Sequence, residues 1–175
     1  MNKINWDSLR QGWTTGACAT AATKAAYISL LTGELLSSIK IILPKGQQPE
    51  FKLNNIEIGK NYARASIIKD AGDDPDVTHG AEISVTVKKG NPGTGVIFKA
   101  GKGVGTITKS GLQLKIGEPA INPVPRKMIT DVIIETAEKF NHSGDVIIKI
   151  SVKNGKKLSK NTWNPRLGIL GGISI

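Results

Sequence analysis

The sequence is poor in cysteine, in aromatic residues and in acids. A single cysteine, Cys18, excludes an intramolecular disulfide framework and fits a reducing compartment. Aromatic residues make up only 5% of the chain, so the core must be built from Ile, Val, Leu and Ala. His79 and His142 are the only histidines, which leaves a zinc site short of ligands. No apolar run reaches the ~18 residues that span a bilayer. The opening MNKINWDSLRQ lacks the apolar stretch of a signal peptide. These absences point to a cytoplasmic protein without a membrane span.

Acids are the most informative shortage. The chain has 14 Asp and Glu against 24 Lys and Arg, a formal net charge of +10. Such a surface attracts nucleic acid, anionic lipid or a polyanionic small molecule. The basic residues are spread along the chain, as on an ordinary solvated surface, and form no tail. Yet Asp70, Asp73, Asp74 and Asp76 crowd into KDAGDDPDVTHG, from Lys69 to Gly80. Three readings stand open: a metal site, a polar anchor for a ligand, and a loop of good turn chemistry. The calcium pattern with its distal glutamate is missing. Gly72 and Pro75 favour turns in which aspartates accept backbone N–H groups. His79 is a candidate ligand or base, and a lone histidine also serves structure.

What is present suits one domain, or one domain and a small part of another. Hydrophobic residues reach 39%, enough to bury a core. TTGACATAATKAAYISLLTGE carries six alanines and reads as a helix, capped by Thr14 or Thr15 and ended by Gly33. Its small residues imply close approach of a sheet or a ligand. Strands are expected over 38–44, 51–59, 62–70, 81–89, 95–100 and 143–152, with Gly59-Lys60-Asn61 as a hairpin turn. A second helix follows INPVPRKMI, with Pro125 in its first turn and Ile129, Val132, Ile133, Thr136, Ala137 and Phe140 on one face. NGKKLSKNTW reads as a polar connection, and LGILGGISI as another strand. Two helices and many strands without βαβ alternation predict an α+β two-layer sandwich, helices on one face of a largely antiparallel sheet. The expected division is an N-terminal α+β domain over 1–165, with 166–175 opening a following segment or second domain.

Four places could carry chemistry. GKGVGTITKSG offers glycines and lysines, either as an anion nest or as a hairpin needing positive φ. It lacks both the P-loop pattern and the helix that a dinucleotide fingerprint requires. WTTGACAT puts free N–H groups at a helix start, for ordinary capping or for an anion. Cys18 lies there, where a helix dipole lowers a thiol pKa, but a small buried cysteine fits better. The acidic loop is the third place. Asn122 and Arg126 in INPVPRKMI are the fourth; an arginine at a helix start opposes the dipole and could serve an anion, or simply face solvent.

LRQGWTTGACATAATKAA, KDAGDDPDVTHG, GKGVGTITKSGLQLKIGEPAINPVPRKMI and NPRLGILGGISI occur in this order. The set resembles the cobalt-precorrin-5B (C-1)-methyltransferases, the CbiD family of anaerobic cobalamin synthesis, over essentially the whole chain. Ser110 and Lys115 depart from it, standing where the family commonly has proline, and are expected to loosen the glycine passage. The resemblance implies methyl transfer from S-adenosylmethionine to ring carbon 1 of cobalt-precorrin-5B, giving cobalt-precorrin-6A. It implies a two-layer α+β first domain and a Rossmann-like second half, without the usual glycine-rich methyltransferase motif. This chain then corresponds to the first half and is expected to be inactive alone. Cobalt comes only with the substrate, and no metal belongs to the protein.

On this reading Asp70, Asp74 and His79 are the catalytic candidates. Thr14, Thr15, Gly16, Gly103, Gly105, Thr106, Lys109, Asn122 and Arg126 are the candidates for binding substrate or cofactor. The partners are a tetrapyrrole, the absent domain and, in one reading, a second copy of the chain. Two alternatives stay open. One is a basic nucleic-acid-binding domain, against which few aromatics and no RNP-like or helix-turn-helix signature count. The other is a non-catalytic half that shapes a cleft or dimer surface.

Overall fold

The computed structural model describes residues 8–175. The reading of MNKINWD as unlike a signal peptide lies outside the described residues. The alanine-rich segment forms helix α1, Thr15–Thr32. Thr14 caps it, its Oγ1 accepting from Ala17 N at 3.0 Å, and Gly33 ends it at φ 77°. Helix α2, Pro123–Lys139, opens on two prolines whose missing N–H groups have no partner to lose. It buries Ile129, Val132, Ile133, Thr136 and Ala137, the face expected from the spacing.

Strands β1 (Ser38–Lys40) and β2 (Glu50–Lys52) form a two-stranded ribbon. β3 (Asn55–Ile58), β4 (Tyr62–Ile68), β5 (Glu82–Lys89), β6 (Val96–Ala100) and β9 (Val146–Val152) form the main sheet, in the order β3-β4-β5-β9-β6. All neighbours are antiparallel except β6 and β9, so the sheet is mixed and largely antiparallel. Ala63, Ala65, Ile67, Ile83, Val85, Val87, Ile148 and Ile150 alternate onto the face that α1 covers. α2 lies against α1. The α+β architecture with both long helices on one face is as expected.

The helix α1 shows why it is so rich in alanine. It is buried on nearly every side, against the sheet and against α2. A Cβ at Gly16 would sit 2.8 Å from Pro125 Cγ, so glycine lets the two helix starts touch. The close neighbour implied by the small residues is therefore protein.

Several expected elements differ. The segment 38–44 is strand only to Lys40, and Ile41 and Leu43 continue toward Pro49 and Gln47 by single hydrogen bonds. The expected strand 51–59 is two strands in two sheets. The break follows from pairing: Leu53 N donates to Ser37 O while Asn54 N donates to Ser66 O. The polar connection after β9 holds two short helices, α3 (Gly155–Ser159) and α4 (Asn164–Leu167). The glycine passage holds β7 (Gly103–Val104) and β8 (Thr106–Ile107). LGILGGISI becomes β10 (Ile169–Leu170) and β11 (Gly172–Ile173), which pair with β8 and β7 respectively.

Candidate functional site

The acidic loop connects β4 to β5 and closes against the start of α1. Lys69, the last residue before it, is buried at 2% exposure. A buried ammonium must be paired and hydrogen-bonded. Its Nζ donates to Asp76 Oδ2 at 2.5 Å, Thr78 Oγ1 at 2.6 Å and Thr15 Oγ1 at 3.2 Å. Burial works against ionisation of Asp76, but hydrogen bonds from Lys69 and Thr78 outweigh it and hold the carboxyl at about 2. One buried cation thus ties the loop to the first turn of α1.

A second clasp holds the loop from outside. The Arg10 guanidinium makes a forked ion pair with Asp70, whose Oδ1 also accepts from Gly72 N at 2.8 Å. The hydrogen bond from Arg10 and that from Gly72 bring the Asp70 carboxyl down to about 2. Arg10 N donates to Asp73 Oδ2 at 2.7 Å. Gln11 and Gly72 form an antiparallel bridge, and a Cβ on Gly12 would lie 2.2 Å from Gly72 N. The backbones touch there because both residues are glycine.

His79 Nδ1 accepts from Ala71 N at 3.0 Å, and the ring is half exposed. Asp74 is exposed, and its carboxylate makes no hydrogen bond among the described residues. Leu9, Trp13, Thr14, Asp73, Asp74 and Asp76 border a hollow of about 650 Å³ beside these groups. Arg10 pairs with Asp70 and Lys69 with Asp76, so Asp73 and Asp74 give the hollow its excess negative charge, which favours a cation. Among the described residues no group of three or more His, Cys, Asp or Glu could hold a metal ion.

The candidates fall into three groups. Thr14, Thr15, Gly16, Asp70, Asp74 and His79 come together around the loop and α1. Gly103, Gly105, Thr106 and Lys109 lie in the glycine passage, where the glycines serve packing. A Cβ on Gly103 would meet Val152 O at 2.0 Å, and one on Gly105 would meet Ile169 Cγ2 at 2.5 Å. Gly103 and Gly111 have positive φ; Gly101 and Gly105 do not, so close approach explains those two. Lys109 runs its stem past Gly168. Asn122 caps α2 by position but makes no side-chain capping bond.

Arg126 is committed to the chain itself. It donates to Ile121 O at 2.7 Å, Pro119 O at 3.1 Å and Glu118 Oε1 at 3.2 Å, and its guanidinium lies 5.4 Å from the Phe98 ring centroid. At the departure Lys115, the backbone N donates to Glu118 Oε2 at 2.7 Å, a bond that proline could not make. Cys18 is wholly buried, and burial pushes its thiol up to about 12, beyond the reach of the helix start and of Lys69. Sequence reasoning missed Lys69 and Arg10. The one available signal was a lysine directly before an aspartate cluster.

These motifs belong to one family. The family model CbiD matches residues 2–175. The chain belongs to the CbiD family. A CbiD relative from Brucella anthropi, named cobalt-precorrin-5B C(1)-methyltransferase, is 59% identical over 167 residues, covering 95% of this chain and 45% of that protein. The protein of the same name from Brucella ovis is 58% identical over the same share. The crystal structure of the cobalamin biosynthesis protein CbiD from Archaeoglobus fulgidus matches with a TM-score of 0.72 at 34% identity, over 95% of this chain and 52% of that one. The chain spans about half the length of the CbiD relatives it matches. Among the described residues no helix is long and apolar enough to cross a membrane.

Proposed function

We propose that this chain serves in S-adenosylmethionine-dependent methylation of C-1 of cobalt-precorrin-5B, giving cobalt-precorrin-6A, together with a further domain. The observation that carries the reading is identity of 59%, across nearly the whole chain, to a relative named for that reaction. The physical support is the acidic hollow beside α1. A sulfonium is the cationic reactant, and the hollow gathers Asp73, Asp74 and Asp76 in a protein of net charge +10.

The chemistry demands little of an acid or base. The electron pair of the ring carbon takes the methyl group, and the C–S pair leaves with sulfur, giving S-adenosylhomocysteine. Positioning the two centres about 3–3.5 Å apart in line supplies much of the rate. Carboxylates around the sulfonium stabilise a charge that fades in the transition state. They bind the donor, and do not accelerate the transfer. His79 is the candidate for any proton the product releases, but only by giving up the Nδ1 bond from Ala71 N, because the neutral ring carries its own proton on Nε2.

The test supplies methyl-labelled S-adenosylmethionine and cobalt-precorrin-5B to the chain alone and to the chain mixed with the remaining portion of a Brucella relative. Labelled macrocycle in the mixture is expected. No label in either arm, while the intact relative transfers it, removes the reading. The nucleic-acid alternative has no comparable support.

A further inference from the structure

The sheet has a second face, which neither long helix covers. Arg64 on β4, Ser84 and Thr86 on β5, and Lys149 and Ser151 on β9 point there, opposite the core residues. This face floors a cleft of about 930 Å³, within the range of small-ligand sites. Gly101, Lys102 and Gly103 form one wall. The other wall is Lys153 with α3 and its end, which add Lys156, Lys157 and Lys160.

Seven cations therefore line one cleft: Arg64 and six lysines. All seven are exposed, and none makes an ion pair among the described residues. Glu82, the one acid of the lining among the described residues, accepts from Ser66 at 2.7 Å and Asn54 at 3.0 Å and pairs with none of them. The close packing of Gly103 on Val152 and Gly155 is what brings the two walls together. Like charges gathered without counter-charges raise a positive potential that concentrates anions.

We propose that this cleft grips the carboxylate rim of a flat polycarboxylate macrocycle. The inference rests on the macrocyclic substrate proposed above. The floor is a strand surface with hydroxyls, which suits a flat ring, and the lysines surround it from two sides. Among the described residues no aromatic side chain lines the cleft, which gives the bases of a single strand no stacking platform there. The cleft also reaches the end of the sheet where the acidic loop turns, since Glu82 follows that loop by two residues. Anionic and cationic reactants would thus meet surfaces of opposite charge at one end of β4 and β5.

Uroporphyrin I, a planar octacarboxylate, is the probe, and a cationic porphyrin of the same ring is its control. The chain should quench and saturate with uroporphyrin alone. Bound uroporphyrin should protect Lys102, Lys149 and Lys156 from acetylation, read by mass spectrometry, and leave Lys45 and Lys52 reactive. Lys149→Gln, Lys156→Gln and Lys157→Gln together should weaken binding about tenfold, at roughly two- to threefold for each exposed ion pair lost. Lys40→Gln, Lys45→Gln and Lys52→Gln together remove the same charge elsewhere and should leave it unchanged. Equal weakening by both triples, absence of protection, or tighter binding of a single-stranded RNA that displaces the porphyrin would overturn the proposal. Methyl transfer with an unprotected cleft sinks this inference alone. Protection without transfer by the mixture, where the intact relative transfers, sinks the methylation reading and leaves the cleft standing as a polycarboxylate site.

Discussion

The Lys69 ammonium lies 2.5 Å from Asp76 Oδ2, and the two side chains are 2% and 34% exposed. The cation is sealed while its partner reaches the surface. Asp76→Asn leaves a buried ammonium held only by two hydroxyls and an amide. Breaking a buried pair costs about 3–5 kcal/mol, and the partial exposure of Asp76 brings the expectation to about 2–3 kcal/mol. Lys69→Met removes the buried charge altogether and leaves Asp76 its bonds from Thr78, so it should cost less. Urea denaturation at pH 7 checks the order. Asp76→Asn no less stable than the parent would show that the pair does not hold the loop.

Acid should unfasten the same loop. Asp70 and Asp76 have folded values of about 2 against an ordinary 3.8. A depressed carboxylate contributes stability that is complete above its unfolded value. That contribution fades as pH falls from about 4 through about 2. Protonating Asp76 leaves Lys69 uncompensated, and protonating Asp70 opens the Arg10 fork. Urea midpoints should therefore drop over this window, and the drop should be shallower in Asp76→Asn. An identical slope in the variant would remove Asp76 from the account.

Local elements were legible where the residues that decide them are close in sequence. Thr14, the alanines and Gly33 mark α1 from cap to stop, and the spacing of Ile129, Val132, Ile133 and Ala137 marks the buried face of α2. The glycine passage was only half legible. Gly103 touches Val152, Gly155 and Gly172, and contacts that distant leave no local trace. The cationic cleft was hidden for a related reason. Arg64, Lys102, Lys149 and Lys156 look scattered until strand alternation and register place them on one face. Lys69 was missed because an isolated lysine is expected at the surface. The turn chemistry of the acidic loop was legible, with Gly72 N and Thr78 N donating to Asp70 and Asp76, but its ion pairs with Arg10 and Lys69 were not read from the sequence.

Two glycines separate the effect of backbone conformation from that of close packing. Gly103 has φ 84° and a Cβ there would lie 2.0 Å from Val152 O, whereas Gly117 has φ 89° with open space around it. Gly117→Ala carries only the left-handed penalty, about 1–2 kcal/mol. Gly103→Ala adds a clash with backbone and must push β7 away from β9 and α3, so about 4 kcal/mol or more is expected. Thermal melts of the two variants measure the difference. Similar melting temperatures would mean that the walls of the cleft can part at little cost.

Asp74 offers the cleanest test of the acidic hollow, because its carboxylate holds nothing else in place. Asp70→Asn would also open the Arg10 fork and mix folding with function. Asp74→Asn should leave the denaturation midpoint within about 0.5 kcal/mol of the parent, as for other surface changes. If the hollow attracts the sulfonium, the variant should raise the KM for S-adenosylmethionine by about two- to fivefold, the worth of one exposed charge pair. The rate constant at saturation should not fall and should rise by up to the same factor, because the lost interaction is strongest before the charge fades. Steady-state kinetics of the chain combined with the remaining portion of a relative would separate the two quantities. A fall in kcat at unchanged KM would move Asp74 from donor binding to the reacting carbon, and the charge of the hollow would need another explanation.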